Sequence, residues 1–429
     1  MKNKKRTEVI IVGSGAGGAT LAKELTKQGR KVIVIEKGRR IENLGTIRAG
    51  LKFYDRFSLL KSKEGTILYR TIMVGGTTVV SCGNAVRTLQ KEFSDLGINL
   101  EEEFIETERE LNVGLLPEKR IIGGSRKILE AAQELGYKME PMPKFVKAIE
   151  CKSCGNCVLG CQFNAKWTAV DYLEQALENN ASKISLITQT EVTGVLISNG
   201  KAIGVKGLGP DGPMEIIGNV VILAAGGIGT PIILQKSGLS AGKNFFCDLF
   251  NVIYGATEDI SQLKGMNMSV VDTEFHDSKG FILSSFVDPS LTFMLGFGWR
   301  FLIDKLPRKK TLGIMTKITD ESMGRIYSNG RIEKPVTAND NIKLQEGAAI
   351  SKEILIKAGV KPKSIFVTRP KGAHPGGTAA IGEVVNRNLE TAIKNLFVCD
   401  ASVFPVAPGL PPILSIVALA KWLVKRLPL

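Results

Sequence analysis

Histidine is nearly missing from this chain. Only His276 and His374 carry an imidazole, so a proton acceptor that works near neutral pH has two candidates. Long uninterrupted apolar runs are missing too. Ala401–Ala420 is broken by Pro405, Pro408, Pro411 and Pro412, and Asn219–Gln235 by Gly226, Gly227, Gly229 and Pro231. Neither reads as a bilayer-spanning helix. The basic start Met1–Arg6 mimics a secretory signal, but Glu8 interrupts it and Val9–Val12 leads straight into glycines. Cysteine is sparse and uneven: four of the seven sit in one run. That excludes a disulfide framework spread over a small secreted fold. There is no repeat, no low-complexity tract and no nucleic-acid motif. Together these absences predict a cytoplasmic, reducing setting.

What is present is a globular composition, 44% hydrophobic and 23% charged, long enough for two or three domains. The net charge of +15 gives a surface that attracts anions. Its basic residues are spread along the chain, as on a solvated surface, so no nucleic-acid partner is expected. Lys421-Trp-Leu-Val-Lys425-Arg426 lies on a helix-like segment. It reads as the exposed face of a final packing helix, or as a peripheral membrane contact.

Cys151, Cys154, Cys157 and Cys161 stand at the spacing C-x2-C-x2-C-x3-C. That is the bacterial ferredoxin pattern and predicts a [4Fe–4S] cluster on these four thiols. In two-cluster ferredoxins the fourth cysteine serves the other cluster. Here either Cys161 folds back, or Cys82, Cys247 or Cys399 joins. A zinc site, which prefers well-separated C-x-x-C pairs, and a pair of local disulfides are the competing readings.

Glu8–Val12 is a short β-branched run, a buried parallel strand. Gly13-Ser-Gly15-Ala-Gly17-Gly18 follows. Then Ala19–Gln28 has helical spacing, Gly29 is a stop, and Lys31–Ile35 is a second strand ending at Glu36. This is a βαβ unit with G-x-G-x-x-G at Gly13, Gly15 and Gly18. It provides a tight turn, close backbone approach to a pyrophosphate, and close helix–strand packing. The helix start offers free N–H groups to the phosphates. Glu36 is placed to accept from a ribose hydroxyl. The motif alone does not separate FAD from NAD.

Three further segments separate them. Met73–Asn84 holds Gly75-Gly76-Thr77-Thr78 and Asn84. Val220–Pro231 is a strand running into glycines and Thr230-Pro231. Leu396–Pro405 is a strand ending in Asp400-Ala-Ser402. With the opening fingerprint, these resemble the glucose–methanol–choline flavoprotein family. The cysteine run, with Asn164-Ala165-Lys166 after it, resembles a subgroup that includes long-chain alcohol oxidases and some steroid-oxidising members. The resemblance covers both ends and the middle of the chain, while Phe245–Arg369 matches only in layout.

The resemblance implies FAD bound by Gly13, Gly15, Gly18 and Glu36 on its ADP half. It implies Gly75, Gly76, Thr77, Thr78 and Asn84 near the pyrophosphate and flavin, Val192 at the adenine, and Asp400 and Ser402 on the ribityl side. Asp400 also reads as a turn cap. His374, in Gly372-Ala-His374-Pro-Gly-Gly-Thr378, matches the family's base, which takes the hydroxyl proton as hydride leaves for the flavin. His276 reads as a surface turn residue. The family's second His or Asn is replaced by Pro411. That leaves His374 alone, or helped by Ser415 or a substrate-domain residue.

The expected architecture is α/β. A Rossmann-like FAD-binding domain spans 1–245 with the cysteine loop 151–161, and 371–429 returns to complete it. A smaller α+β substrate domain on an antiparallel sheet spans 246–370. Gly313–Thr319 reads as one of its strands, and the apolar, aromatic Pro289–Leu306 as a substrate pocket, a membrane-facing lid or plain core. The expected function is oxidation of an alcohol CH–OH group, the substrate apolar or lipid-like. Electrons would pass by the cluster to an external carrier. The alternatives are an electron-transfer or redox-sensing flavoprotein without an alcohol substrate, and a lipid saturase or desaturase.

Overall fold

The computed structural model describes residues 5–58, 60–288 and 310–429. The segment Pro289–Leu306 lies outside the described residues. Two sheets carry the chain. In the first, Ile184–Ile187, Val32–Ile35, Lys5–Val12 and Gly212–Leu223 lie side by side and parallel. Leu396–Val398 pairs in parallel with the last residues of Gly212–Leu223. The first half of that long strand instead joins an antiparallel hairpin made by Glu191–Ser198 and Lys201–Gly209.

The register of this sheet positions the site. Val12 pairs with both Ile35 and Leu223, and Leu223 with Val398. Four strands therefore end at one level. The residues just beyond are Gly13, Glu36, Ala224 and Cys399, which emerge together at the carboxyl edge where α/β sheets hold ligands. Val9–Val12 and Val32–Ile35 are buried throughout. Ala16–Lys27 packs on Ala169–Asn179 and on the last helix, Ile413–Val424.

That last helix is apolar nearly all round and buried at every position but Ile413, as expected of a core helix. The exposed face expected at Lys421 is not there. Lys421 is 2% exposed and ion-paired with Glu24, Glu106 and Glu110 at 3.4, 3.0 and 3.1 Å. Three carboxylates from neighbouring helices make its burial tolerable. Only Lys425 and Arg426 reach the surface. Among the described residues no helix is long and apolar enough to cross a membrane.

In the second sheet, Leu249–Ala256, Thr311–Ile318, Phe281–Ser285 and Val270–Asp272 run antiparallel. Ile67–Leu68, Glu140–Pro141 and Lys371–Gly372 join its edges from elsewhere in the chain. Thr311–Ile318 is buried on both faces, and its period of two sorts the chemistry. Leu312, Ile314 and Ile318 pack with Leu344, Ala348 and Ile354. The last three lie on the helix Ala338–Lys357, whose start carries a Thr337/Asp340 capping box. Met315 and Lys317 point the other way, into a cavity shared with the first sheet.

Candidate active site

The loops beyond the aligned strand ends and the inner face of the second sheet enclose a cavity of about 370 Å³. Gly13 turns the chain into it at φ 103°, where a side chain would run into the Ala224 carbonyl. Gly15 caps Ala16–Lys27 without any side-chain cap, and a Cβ there would meet only open space. The N–H groups of Ala16, Gly17 and Gly18 have no acceptor one turn back in the helix. Gly18 does not line the cavity. A Cβ on it would overlap the Gly13 carbonyl oxygen, so its role is helix–strand packing.

Glu36 lines the cavity with its carboxylate already held. It accepts from the Ser14 N–H at 3.0 Å, the Ser14 hydroxyl at 2.6 Å and the Gly38 N–H at 2.8 Å. Burial nonetheless raises its pKa, against those three bonds. Ser14 also accepts from the Gly75 N–H at 3.1 Å, so one hydroxyl joins three loops. Ser14 carries one sequence signal for this role, a lone hydroxyl inside the glycine fingerprint.

Gly75 is left-handed at φ 88° and shapes the turn from behind. Gly76, Thr77 and Thr78 line the cavity. The Thr78 hydroxyl is spent on the Gly75 carbonyl, 2.6 Å, and on the Ala169 N–H, 2.9 Å. Asn84 lines the cavity and accepts from Lys144 Nζ at 2.6 Å. Val192 reaches it from the edge of the hairpin. Asp400 lines it too, with its carboxylate taken up. The Gly226 N–H, the Thr230 hydroxyl and the Ser402 N–H donate to it at 2.8, 2.6 and 2.7 Å. Ser402 lies behind the wall, and its buried hydroxyl has no partner among the described residues.

His374 lines the cavity, and its Nδ1 lies 2.7 Å from Asp248 Oδ2. Asp248 Oδ1 accepts from the Gly409 N–H at 3.0 Å. The loop carrying Pro411 is thus tied to the same carboxylate. Pro411 lines the cavity and offers no hydrogen bond donor. Ser415 is taken out of contention: its hydroxyl donates to the Thr88 carbonyl at 2.9 Å and accepts the Thr88 N–H at 3.1 Å. His276 is half-buried, with Nε2 2.8 Å from the Pro408 carbonyl.

Asp248 was not singled out in the sequence. It stands before an apolar strand, outside any motif, and only the fold brings it to His374. Burial and the positive charge of Lys317 hold the imidazole well below its ordinary pKa. Burial pushes Asp248 up to about 7, against Lys317 and the Gly409 N–H. Lys317, 3% exposed, lines the same cavity, and its ammonium makes no hydrogen bond or ion pair among the described residues. Burial lowers it to about 8, with Asp248 opposing. Phe250, Met268, Phe286 and Met315 supply apolar walls beside these groups.

A second, smaller cavity lies next door. Cys151, Cys154, Cys157 and Cys161 all line it, and none is in a disulfide. Cys82 lines both cavities. Among the described residues no three thiol sulfurs lie within 4.8 Å of one another. A tetrahedral zinc with bonds of about 2.3 Å needs sulfurs roughly 3.8 Å apart, so the arrangement does not fit zinc. A multi-iron cluster holds its thiolates on different irons, farther apart.

The sequence profile of GMC oxidoreductases matches residues 7–250 and, in a second part, 319–420. The chain belongs to the GMC oxidoreductase family. It is an oxidoreductase, with the GMC fold of a Rossmann-like FAD-binding domain joined to a sheet-based substrate domain. An uncharacterised protein of Methanocaldococcus jannaschii is 32% identical, over 98% of this chain and 99% of its own. The long-chain-alcohol oxidase FAO3 of Arabidopsis thaliana is 26% identical, over 98% of this chain and 68% of its own. Pyridoxine 4-oxidase from Mesorbium loti shares the fold, with a TM-score of 0.75 at 16% identity, over 98% of this chain and 99% of that one. FAD is the cofactor that this family implies. The unfilled space at Gly15, the free N–H groups of the helix start and the Glu36 carboxylate fit its pyrophosphate and ribose.

Proposed function

We propose that this GMC oxidoreductase oxidises the CH–OH group of an apolar alcohol with FAD as the hydride acceptor. The observation that carries the reading is the 2.7 Å pair of His374 and Asp248 on the wall of a cavity that also has dinucleotide-binding loops. When bound, FAD accepts the hydride. Gly13, Gly15 and the N–H groups of residues 16–18 would hold the pyrophosphate, with Gly18 packing behind them. Glu36 would take the ribose and Val192 the adenine. Gly75–Thr78, Asn84, Asp400 and Ser402 would shape the flavin side.

With Nδ1–H donated to Asp248, His374 keeps the lone pair of Nε2 for the substrate hydroxyl proton. The Lys317 ammonium would face the oxygen as negative charge develops on it. The segment 246–370 supplies Asp248 and Lys317 and would form the substrate side. The apolar walls, with the likeness to a long-chain-alcohol oxidase, favour a long aliphatic alcohol.

The electrons would leave by way of the cysteine run. Cys151, Cys154, Cys157 and Cys161 would hold a [4Fe–4S] cluster that passes electrons singly. Each alcohol becomes an aldehyde or ketone with release of two electrons and two protons. Two molecules of an external one-electron carrier take the electrons.

Anaerobic mixing of the flavin-loaded protein with primary alcohols of rising chain length tests the chemistry. Bleaching of the flavin is expected, faster for longer chains. His374→Ala should bleach at least about a hundredfold more slowly while retaining FAD. A panel that leaves the flavin oxidised refutes the substrate class, and an unchanged rate in the variant refutes the base. Iron and acid-labile sulfide analysis decides the cluster independently.

A further inference from the structure

Two lysines between the cavities have no acidic partner among the described residues. Lys144 is 1% exposed and Lys166 6%. The Lys144 ammonium donates to the Cys82 carbonyl at 2.8 Å, Asn84 Oδ1 at 2.6 Å and the Asn267 carbonyl at 3.1 Å. The Lys166 ammonium donates to the carbonyls of Val79, at 2.8 Å, Cys157, at 3.3 Å, and Ser81. Neither forms an ion pair among the described residues. Lys317, on the wall of the first cavity, has none either, whereas three other buried lysines do. Lys334 meets Asp320 at 2.9 Å, Lys371 meets Asp288 at 3.0 Å, and Lys421 meets three glutamates. A buried ammonium without a counter-charge is costly, and here two stand close together.

Their surroundings point to the missing charge. Both donate to the segment 79–84, whose Val80, Ser81, Cys82 and Asn84 wall the first cavity. Lys166 and Cys82 also line the second cavity, with the four clustered cysteines. Backbone N–H groups of Ser153 and Ala165 already donate to the sulfurs of Cys151 and Cys161, each at 3.4 Å. As neutral thiols the five cysteines leave two positive charges uncompensated. As ligands of an iron–sulfur cluster, four of them hold a centre of net negative charge.

We propose that the second cavity is built for a polyanionic, thiolate-bound cluster whose charge Lys144 and Lys166 neutralise from the flavin side, with Cys82 in the shared wall. This rests on the cluster reading above. The lysines raise the tendency of the cluster to accept electrons and face it toward the flavin cavity.

The test compares Lys166→Gln and Lys166→Arg in protein reconstituted anaerobically with iron and sulfide, with Lys144→Gln as a second neutralising variant. Glutamine keeps an N–H donor for the carbonyls and removes the charge. Iron and sulfide content should match the wild type. At fixed potential the reduced-to-oxidised ratio of the cluster should fall about tenfold in each glutamine variant, about 59 mV for one electron. It should stay near wild type in the arginine variant. Equal potentials in all forms overturn the proposal and leave the cluster standing. A glutamine variant whose cluster-free form fails to fold overturns it too, because the lysines would then be structural ties. Absence of iron and sulfide from the wild type removes the cluster reading and the proposal together, leaving the flavin chemistry intact.

Discussion

Asp248→Asn separates the proposed proton path from the rest of the molecule. The substitution keeps shape and volume. Oδ1 of Asp248 accepts from the Gly409 N–H at 3.0 Å, so the asparagine oxygen has a fixed place. Its amide nitrogen then falls where Oδ2 stood, 2.7 Å from His374 Nδ1. An amide N–H facing Nδ1 makes that nitrogen the acceptor and puts the ring proton on Nε2, facing the cavity. The imidazole stays neutral and becomes useless as a base. A general base contributes about 10²–10⁴ in rate, so flavin bleaching by alcohol should slow by that factor at pH 8. FAD content should not change.

The pH dependence carries a sign. Asp248 is pushed up to about 7 in the fold, above the ordinary value near 4 of an unfolded aspartate. Its contribution to stability is therefore full below about pH 4 and lost as pH rises through 7. Asparagine does not titrate. The variant should gain on the wild type in melting temperature between pH 5 and pH 8. Stopped-flow bleaching and thermal melts at both pH values provide the measurements. A rate within about threefold of wild type, or a stability difference that moves the other way with pH, would refute the pairing as described.

Three other perturbations reach different parts of the argument. Gly18→Ala forces a Cβ onto the Gly13 carbonyl; soluble protein from this variant should bind FAD at least about tenfold more weakly by fluorescence titration, and wild-type affinity would contradict the packing role. Lys334→Met leaves Asp320 buried with no counter-charge, and Asp320 accepts the N–H groups of Cys247 and Leu249 on either side of Asp248. A loss of about 3–5 kcal/mol in a denaturant melt is expected, with slower alcohol oxidation in whatever stays folded. Lys317→Met removes a positive charge that holds His374 down, so the acid limb of the bleaching rate should move to higher pH while the plateau falls about tenfold or more; an unmoved limb would place Lys317 outside the site.

The sequence made the dinucleotide half of the molecule legible because its signals are local. Val9–Val12, the glycines at 13, 15 and 18, and Glu36 each act within one βαβ unit, and their spacing states their roles. The loops at Gly75–Thr78 and Asp400 were placed by resemblance. The structure shows that Thr78 and Asp400 spend their side chains on holding neighbouring loops together. The aliphatic and charged pattern of Ile413–Arg426 was ambiguous on its own. Three glutamates far away in sequence made Lys421 a buried residue.

The partner of His374 was out of reach of any local rule. Asp248 lies 126 residues before it. They meet because Cys247 and Leu249 are pinned by Asp320, while the Gly409 loop folds over from the other side. Likewise the spacing of the four clustered cysteines is a local feature, and what surrounds them is not. Cys82, Lys144 and Lys166 come from three separate stretches and only the packing gathers them. By itself the sequence determined the nucleotide-binding frame and the candidate base. The tertiary structure decided which carboxylate meets His374, which lysine lowers its pKa, and that the cysteine run lies beside the same cavity. Local motifs encode backbone geometry, whereas the pairing of buried charges depends on which distant strands become neighbours.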